Sequence, residues 1–271
     1  MTSPTPNPIT LPARCQIRRL EPKHHDWVKA VFSHTNIFHS PLWPVVYPDN
    51  KTARTYRLFQ SGDYAASHSI DSGLSYGVFD TEYKFKRPES EAEGGRLYWD
   101  FSDTNVTGEQ LLEQMDFPLV STALSYDGAN PLDMSQMAPM VQALPLFATL
   151  LGVLEAGDKR DPGSWKATGP GQVLMRSGTC TREDYKGMGI ARGMAHWLMW
   201  EAKGRGFRGV QIETAHVAME RVWMNPPGGF KAEMVSWFEC GEYEEEGEGG
   251  ERVRVFEPCR LKCTKIYVSL V

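Results

Sequence analysis

The sequence predicts an α/β (α+β) domain built on a mixed, mostly antiparallel sheet flanked by helices. Two observations carry this. Residues 14–128 read as a strand, helical turns and a hairpin-like pattern, without the steady alternation of strand and helix that a parallel sheet requires. The C-terminal hundred residues run strand, glycine-rich turn, helix and strand, and after Glu213 only a short helix and two further strand candidates remain. That leaves no room for the repeated βα units of a doubly wound sheet.

Taken in order, the N-terminal "MTSPTPNPITLP" reads as a flexible leader over 1–12, and 13–271 as a single domain. "RCQIRRL" (14–20) alternates as a strand does, and "PKHHDWVKAVFSH" then places Trp27, Val28, Val31 and Phe32 on one helical face. "FHSPLWPVVYP" (38–48) holds too much proline for a regular helix and reads as a loop. "LSYGVFDTEYKF" (74–85) and "GRLYWDFSD" (95–103) are expected to pair as a hairpin with "KRPESEAEGG" at its tip, and "FPLVSTALSYDG" (117–128) is a third strand candidate. Met137, Met140, Val141, Leu144, Phe147, Leu151 and Leu154 recur at helical spacing, with Pro145 set to kink that helix or begin a second. This makes 132–156 a helical insertion between the two halves. "QVLMRSGTCT" (172–181) is a strand, and Ile190, Met194, Trp197 and Leu198 mark a helix that ends around Gly204–Gly206. "RGVQIET" (208–214) is a buried strand, "HVAMERVWM" (216–224) a short helix, and "EMVSWFECGEY" and "TKIYVSLV" are strands separated by an acidic loop.

Composition narrows the function classes. A formal net charge of -5 argues against a general nucleic-acid binder, and no apolar run approaches the roughly 20 residues that cross a bilayer. The five cysteines are scattered, and Cys259 and Cys263 lack a second pair at zinc spacing, so no metal is expected. Reduced thiols and the absence of a signal-peptide pattern suggest a cytoplasmic protein, monomeric or homodimeric.

The chemistry concentrates in "DYKGMGIARGM" (184–194). A strand, a tight glycine turn and a helix start leave unpaired backbone N–H groups beside the positive end of a helix dipole, which suits phosphate or pyrophosphate. A Walker loop is excluded because no Gly-Lys-Ser/Thr closes the stretch. A dinucleotide loop of an oxidoreductase is the rival. Gly187, Gly189 and Gly193 give G-x-G-x-x-x-G, and Glu213 ends the next strand where a ribose-binding acid belongs.

"KGMGIA" (186–191) resembles the Q/R-x-x-G-x-G/A signature of the GNAT superfamily, the acyl-CoA-dependent N-acyltransferases, with Lys186 in place of Gln or Arg and Gly189 and Ala191 at the two small positions. The order of "VLMRSGTCT", "IARGMAHWLMWEA", "GVQIE", "HVAMERVW" and "GGF" is similar to that family's second half over about 170–235. The resemblance implies that the amides of Lys186, Gly187, Met188, Gly189, Ile190 and Ala191 hold the pyrophosphate of acetyl-CoA. It implies that Cys180 and Thr181 offer main-chain contacts to pantetheine, and that His216 stands where an asparagine often meets the cofactor. An N–H at Cys180 or Thr181 would also face the oxyanion.

The implied reaction is acetyl transfer to a primary amine of a small molecule or peptide by direct attack in a ternary complex. Glu213, at the end of its strand, is the first candidate for the base, and Asp100 in "LYWDF" the second. Trp223 stands where the family often carries a proton-donating tyrosine, and the nearby Asn225 is available to fill that space. This departure motivates the alternative of a CoA-binding, catalytically degenerate protein.

Overall fold

Seven strands form the main sheet of the computed structural model, which describes residues 11–247 and 249–271; most of the expected leader, 1–10, lies outside the described residues. The strands are β1 (Cys15–Arg19), β2 (Tyr76–Asp80), β3 (Leu119–Asp127), β4 (Val173–Thr181), β5 (Gly209–Thr214), β6 (Lys231–Glu239) and β7 (Lys262–Ser269). Their spatial order is β1-β2-β3-β4-β5-β7-β6, and every neighbouring pair is antiparallel except β4 with β5. The mixed sheet expected from the sequence is present. The dinucleotide reading is overturned, because a single parallel pair is not a doubly wound sheet.

Helices cover both faces. On one lie α1 (His25–His34), α2 (Lys51–Ser61), α3 (Asp63–Asp71) and α4 (Pro145–Gly157); on the other lie α5 (Ile190–Gly204) and α6 (Val217–Met224). Strand alternation sends neighbours to opposite sides. Leu124 and Cys180 pack with Val28 and Val31 of α1, whereas Ala123 packs with Ile190 and Met194 of α5. Pro145 begins a second helix instead of kinking one, since Ala138–Ala143 forms a separate short helix before it. Met137, Met140, Leu144, Leu150 and Leu154 are buried in a cluster with Leu42, Trp43 and Phe238.

Two expectations fail. The hairpin of 74–85 with 95–103 does not form: β2 lies between β1 and β3, and only Arg96–Leu97 is strand, paired with Met115–Asp116. The supposed hairpin tip instead contains a short helix, Pro88–Glu93. The segment 38–48 is not wholly loop either. α1 runs on into a π turn, Thr35–His39, and Trp43–Val46 makes one helical turn.

Candidate active site

β4 and β5 pair only over Val173–Met175 and Gly209–Gln211. Beyond that point β4 continues to Thr181 and β5 to Thr214 without pairing to one another. The strands therefore splay, and the edge of β4 presents main-chain groups to an extended ligand as an empty strand position would. The same segment of β4 carries a β-bulge. Gly178 stands opposite Leu124 and Arg176 opposite Ser125, so Ser177 has no partner on β3.

The glycine turn follows directly. Gly187 (φ 80°) and Gly189 (φ 76°) lie in the left-handed region, and Gly189 caps α5. Lys186 through Gly189 are exposed, and the first helical bond runs from Gly193 N–H to the Gly189 carbonyl at 2.9 Å, leaving the amides of 187–191 for a ligand; the Lys186 amide, expected to join them, is instead taken by the Glu183 carbonyl at 3.0 Å. Ile190 is buried against Val78 and Val120, which anchors the helix start in the core. An ion pair and a hydrogen bond to a carboxylate fix the approach. The Arg182 guanidinium grips Asp184 in a fork and donates to the Met115 and Phe117 carbonyls, while the Tyr185 hydroxyl donates to Asp80 at 2.5 Å. Lys186 is exposed and its ammonium rests 2.9 Å from Glu183. Gly193 is a buried residue of the first turn of α5, on its packed side.

Glu213 sits on the β5 side of the splay, on the α4 face of the sheet. Some of the residue meets solvent, but protein surrounds its carboxyl densely, and that desolvation pushes it up to about 7. Gln211 donates to its Oε1 at 3.1 Å, and Lys265 is its direct partner on β7. Both favour the ionised form, but the Lys265 charge is largely spent on Glu155 and Asp158. Asp158 is in turn forked by Arg160, which reaches Gln211 Oε1 at 3.4 Å. Burial pushes the phenol of Tyr126 up to about 12, and the Glu213 charge adds to that rise. The rings of Tyr64, His68 and Tyr126 form a ladder with centroids 5.6 and 5.3 Å apart. None of Gln211, Arg160, Lys265 and Tyr126 was singled out from the sequence: Gln211 meets Glu213 two residues along the same strand, Lys265 meets it through strand pairing, Tyr126 through tertiary packing, and Arg160 only by way of Gln211.

The remaining expected residues divide. The Cys180 side chain is buried against α1, accepts from Asn36 Nδ2 at 3.4 Å, and has its thiol pushed up to about 12 by burial, so it is no nucleophile. Its main chain and that of Thr181 lie on the splayed part of β4. His216 is exposed and caps α6, its Nδ1 accepting from Ala218 N–H at 3.1 Å. Asp100 does not join Glu213. It is exposed on the connection between β2 and β3, where Ser102 N–H and hydroxyl hold its carboxylate below the usual range. Trp223 is fully buried among Leu198, Ile212 and Ile266, and Asn225 is exposed and donates to the Arg221 carbonyl, so neither supplies a proton donor in the splay. Among the described residues no group of side chains could hold a metal ion. Two surface depressions, one beside Arg87 and one beside Lys23, share no residue with the splay.

A sheet of this order, splayed at its one parallel pair and followed by a glycine turn and a helix start, is a fold that solved N-acetyltransferase structures share. No family model matches the chain, and no curated protein matches its sequence. Solved structures do resemble it. The C-terminal condensation domain of Ebony in complex with beta-alanyl-dopamine is 15% identical with a TM-score of 0.60, over 95% of this chain and 99% of that one. Arylalkylamine N-acetyltransferase 2 from Aedes aegypti is 13% identical with a TM-score of 0.57, over 95% and 99%. Drosophila melanogaster polyamine N-acetyltransferase is 11% identical with a TM-score of 0.54, over 94% and 99%. At such identities the likeness establishes the fold.

Proposed function

We propose that this chain is an acyl-CoA-dependent N-acetyltransferase, moving acetyl from acetyl-CoA to a primary amine. The observation that carries the reading is the position of Glu213, a carboxyl raised to about 7 at the point where β4 and β5 part. The amides of 187–191 take the pyrophosphate, and the free edge of β4 over 176–181 takes pantetheine. The amine nitrogen attacks the thioester carbon and gives its proton to Glu213, and the carbon–sulfur bond breaks with its electron pair on sulfur. A carboxyl near 7 is matched to removing a proton at neutral pH. Neither metal nor nucleic acid has a part in this reading.

The acceptor is a small molecule or peptide amine. Phe147, Leu146, Tyr47 and Tyr64 pack in the same cluster as Ala215, two residues beyond Glu213, so 38–48 and 132–156 are the segments placed to shape its pocket. The solved relatives are named for arylalkylamine and polyamine acetylation, and both acceptor types belong in the first panel. Calorimetry with acetyl-CoA followed by thiol release against amines tests the proposal. Binding with turnover supports it, and absence of binding removes it.

The buried Trp223 supports the second reading, a protein that binds CoA without turning over. Binding with no thiol release on any amine selects that reading.

A further inference from the structure

Arg176 lies on β4 immediately beside the end of the β4–β5 pairing, and it is 4% exposed. It has no carboxylate partner among the described residues. Its four acceptors are all neutral. One terminal nitrogen donates to the Leu124 carbonyl and Ser125 Oγ, the other to the Gly178 carbonyl at 3.2 Å and to Thr179 Oγ1. Its Nε is buried with no partner among the described residues. An unpaired charge in such a place is costly, and burial correspondingly pushes this guanidinium down to about 9.

The acceptors explain where it is. Leu124 and Gly178 are the facing pair at the bulge, the point where the ladder register shifts, and a single planar fork spans their two carbonyls. The bulge is held from the opposite face as well. Ser177 Oγ lies 3.3 Å from Ser69 Oγ of α3, and a Cβ on Gly178 would come within 3.2 Å of the Phe32 ring of α1. The main chain that lines the splay is therefore clamped on both sides of the sheet, and the clamp on the α5 side carries a net positive charge.

We propose that Arg176 is the positioning residue of the thioester subsite, bracing the bulge and placing an uncompensated positive charge beside the carbonyl oxygen that becomes anionic during acyl transfer. The inference rests on the acyltransferase reading. Negative charge that develops only in the transition state is stabilised by a charge already in place, at no cost of reorganisation. The partner that offsets the buried guanidinium is on this view the oxyanion itself. Thiolate departure without a tyrosine acid is also easier when the addition step is favoured electrostatically.

The test uses the full chain with R176Q, which removes the charge, and R176K, which keeps a charge but cannot span both carbonyls. Acetyl-CoA affinity is measured by calorimetry, and the infrared band of a carbonyl-labelled acetyl-CoA is recorded in the complex without amine. In wild type the band is expected below its frequency in water, and in R176Q it should return toward that value while acetyl-CoA affinity stays within about 3-fold. Loss of one oxyanion-stabilising group typically costs about 10²–10³ in kcat, and a fall of roughly 10- to 100-fold with KM nearly unchanged is expected for R176Q. R176K should fall between, and it stands in if R176Q does not fold. A band at the wild-type position in a folded variant, or a loss of kcat that merely follows a loss of acetyl-CoA binding and thermal stability, overturns the proposal. If wild type itself binds no acetyl-CoA, it is the acyltransferase reading that fails.

Discussion

The two walls of the splay solve opposite electrostatic problems. On the β4 wall a buried guanidinium is satisfied only by neutral oxygens, so its charge is left unneutralised. On the β5 wall a carboxyl is desolvated until it is half protonated near neutrality, with the nearest cation, Lys265, committed to Glu155 and Asp158. Had the fold paired these two groups, each would be cheaper to bury and neither would be available for chemistry. The difference teaches that the strands must part for more than steric reasons. Parting leaves the cation and the proton acceptor on separate strands, and on the proposed reading the thioester lies between those strands.

Removing the β5 charge should have the largest effect. E213Q keeps the side-chain shape but cannot take a proton, and kcat/KM at pH 8 should fall by about 10²–10⁴, the usual contribution of a positioned base. Initial rates of thiol release measure this, and acetyl-CoA affinity should be unchanged. The same variant gives a stability prediction of defined sign. Folding raises the Glu213 carboxyl from its ordinary value to about 7, so the folded state binds this proton more tightly. Its contribution is present at low pH and is lost as pH rises through about 7. E213Q should therefore be more stable to unfolding than wild type at pH 8, by roughly 1–2 kcal/mol after allowing for the water that reaches the group, and the two should converge near pH 4.

The glycine turn comes next. A valine at Gly189 would be forced into the left-handed region at a cost of about 1–2 kcal/mol, although no atom lies within 4 Å to obstruct its Cβ. G189V should lower acetyl-CoA affinity roughly 10-fold in calorimetry, because strain in the cap turns the amides away. G189N should recover much of the loss, since asparagine tolerates that conformation. Equal damage from both variants would point to crowding of the ligand instead of backbone strain.

A gentler change sharpens the account of Glu213. Q211L removes the N–H donated to its carboxylate at 3.1 Å, and the ionised form loses that support. The groups still facing Glu213 are Lys265 on β7, which favours ionisation, Glu155 on α4, which opposes it, and Tyr126 on β3. The acid limb of the kcat/KM profile should move to higher pH, so Q211L loses more activity at pH 6 than at pH 9. A purely structural role for Gln211 would scale the whole profile without moving its limb.

What the sequence could and could not disclose follows from the range of each interaction. The run from β4 through the glycine turn to β5 is governed by local pattern, with helical spacing from Ile190 to Leu198 and glycines where φ is positive, and it was legible almost residue by residue. Glu213 could be chosen because it ends a strand. Its tuning could not, because Gln211, Lys265 and Arg160 meet only when β5, β7 and the chain after α4 come together. Arg176 looked like an ordinary strand residue, since nothing local announces a bulge whose carbonyls need a donor. The failed hairpin of 74–85 with 95–103 has a similar origin. β2 is drawn between β1 and β3 by its fully buried faces, and Trp99 is held instead by its indole N–H on the Leu111 carbonyl at 2.9 Å. Helices α2 and α3, over 51–71, were not assigned from the sequence at all, and α3 supplies both His68 and Ser69 to the α1-side wall.

Asp100 supplies the smallest expected effect and the sharpest control on this comparison. Its carboxylate is exposed, accepts from the Ser102 N–H at 3.0 Å and hydroxyl at 2.6 Å, and is thereby held ionised at lower pH than usual, which makes it a weak base. D100N retains an oxygen to accept the same hydrogen bonds, so kcat/KM should stay within about 2-fold, as expected for a surface change away from the reacting groups. The measurement is a kcat/KM determination for D100N beside E213Q at one pH. A large loss in D100N with E213Q near wild type would move the base off the sheet and onto the β2–β3 connection. The elevated carboxyl on β5 would then be a consequence of burial alone, and the division of charge between the two walls would describe folding energetics without describing catalysis.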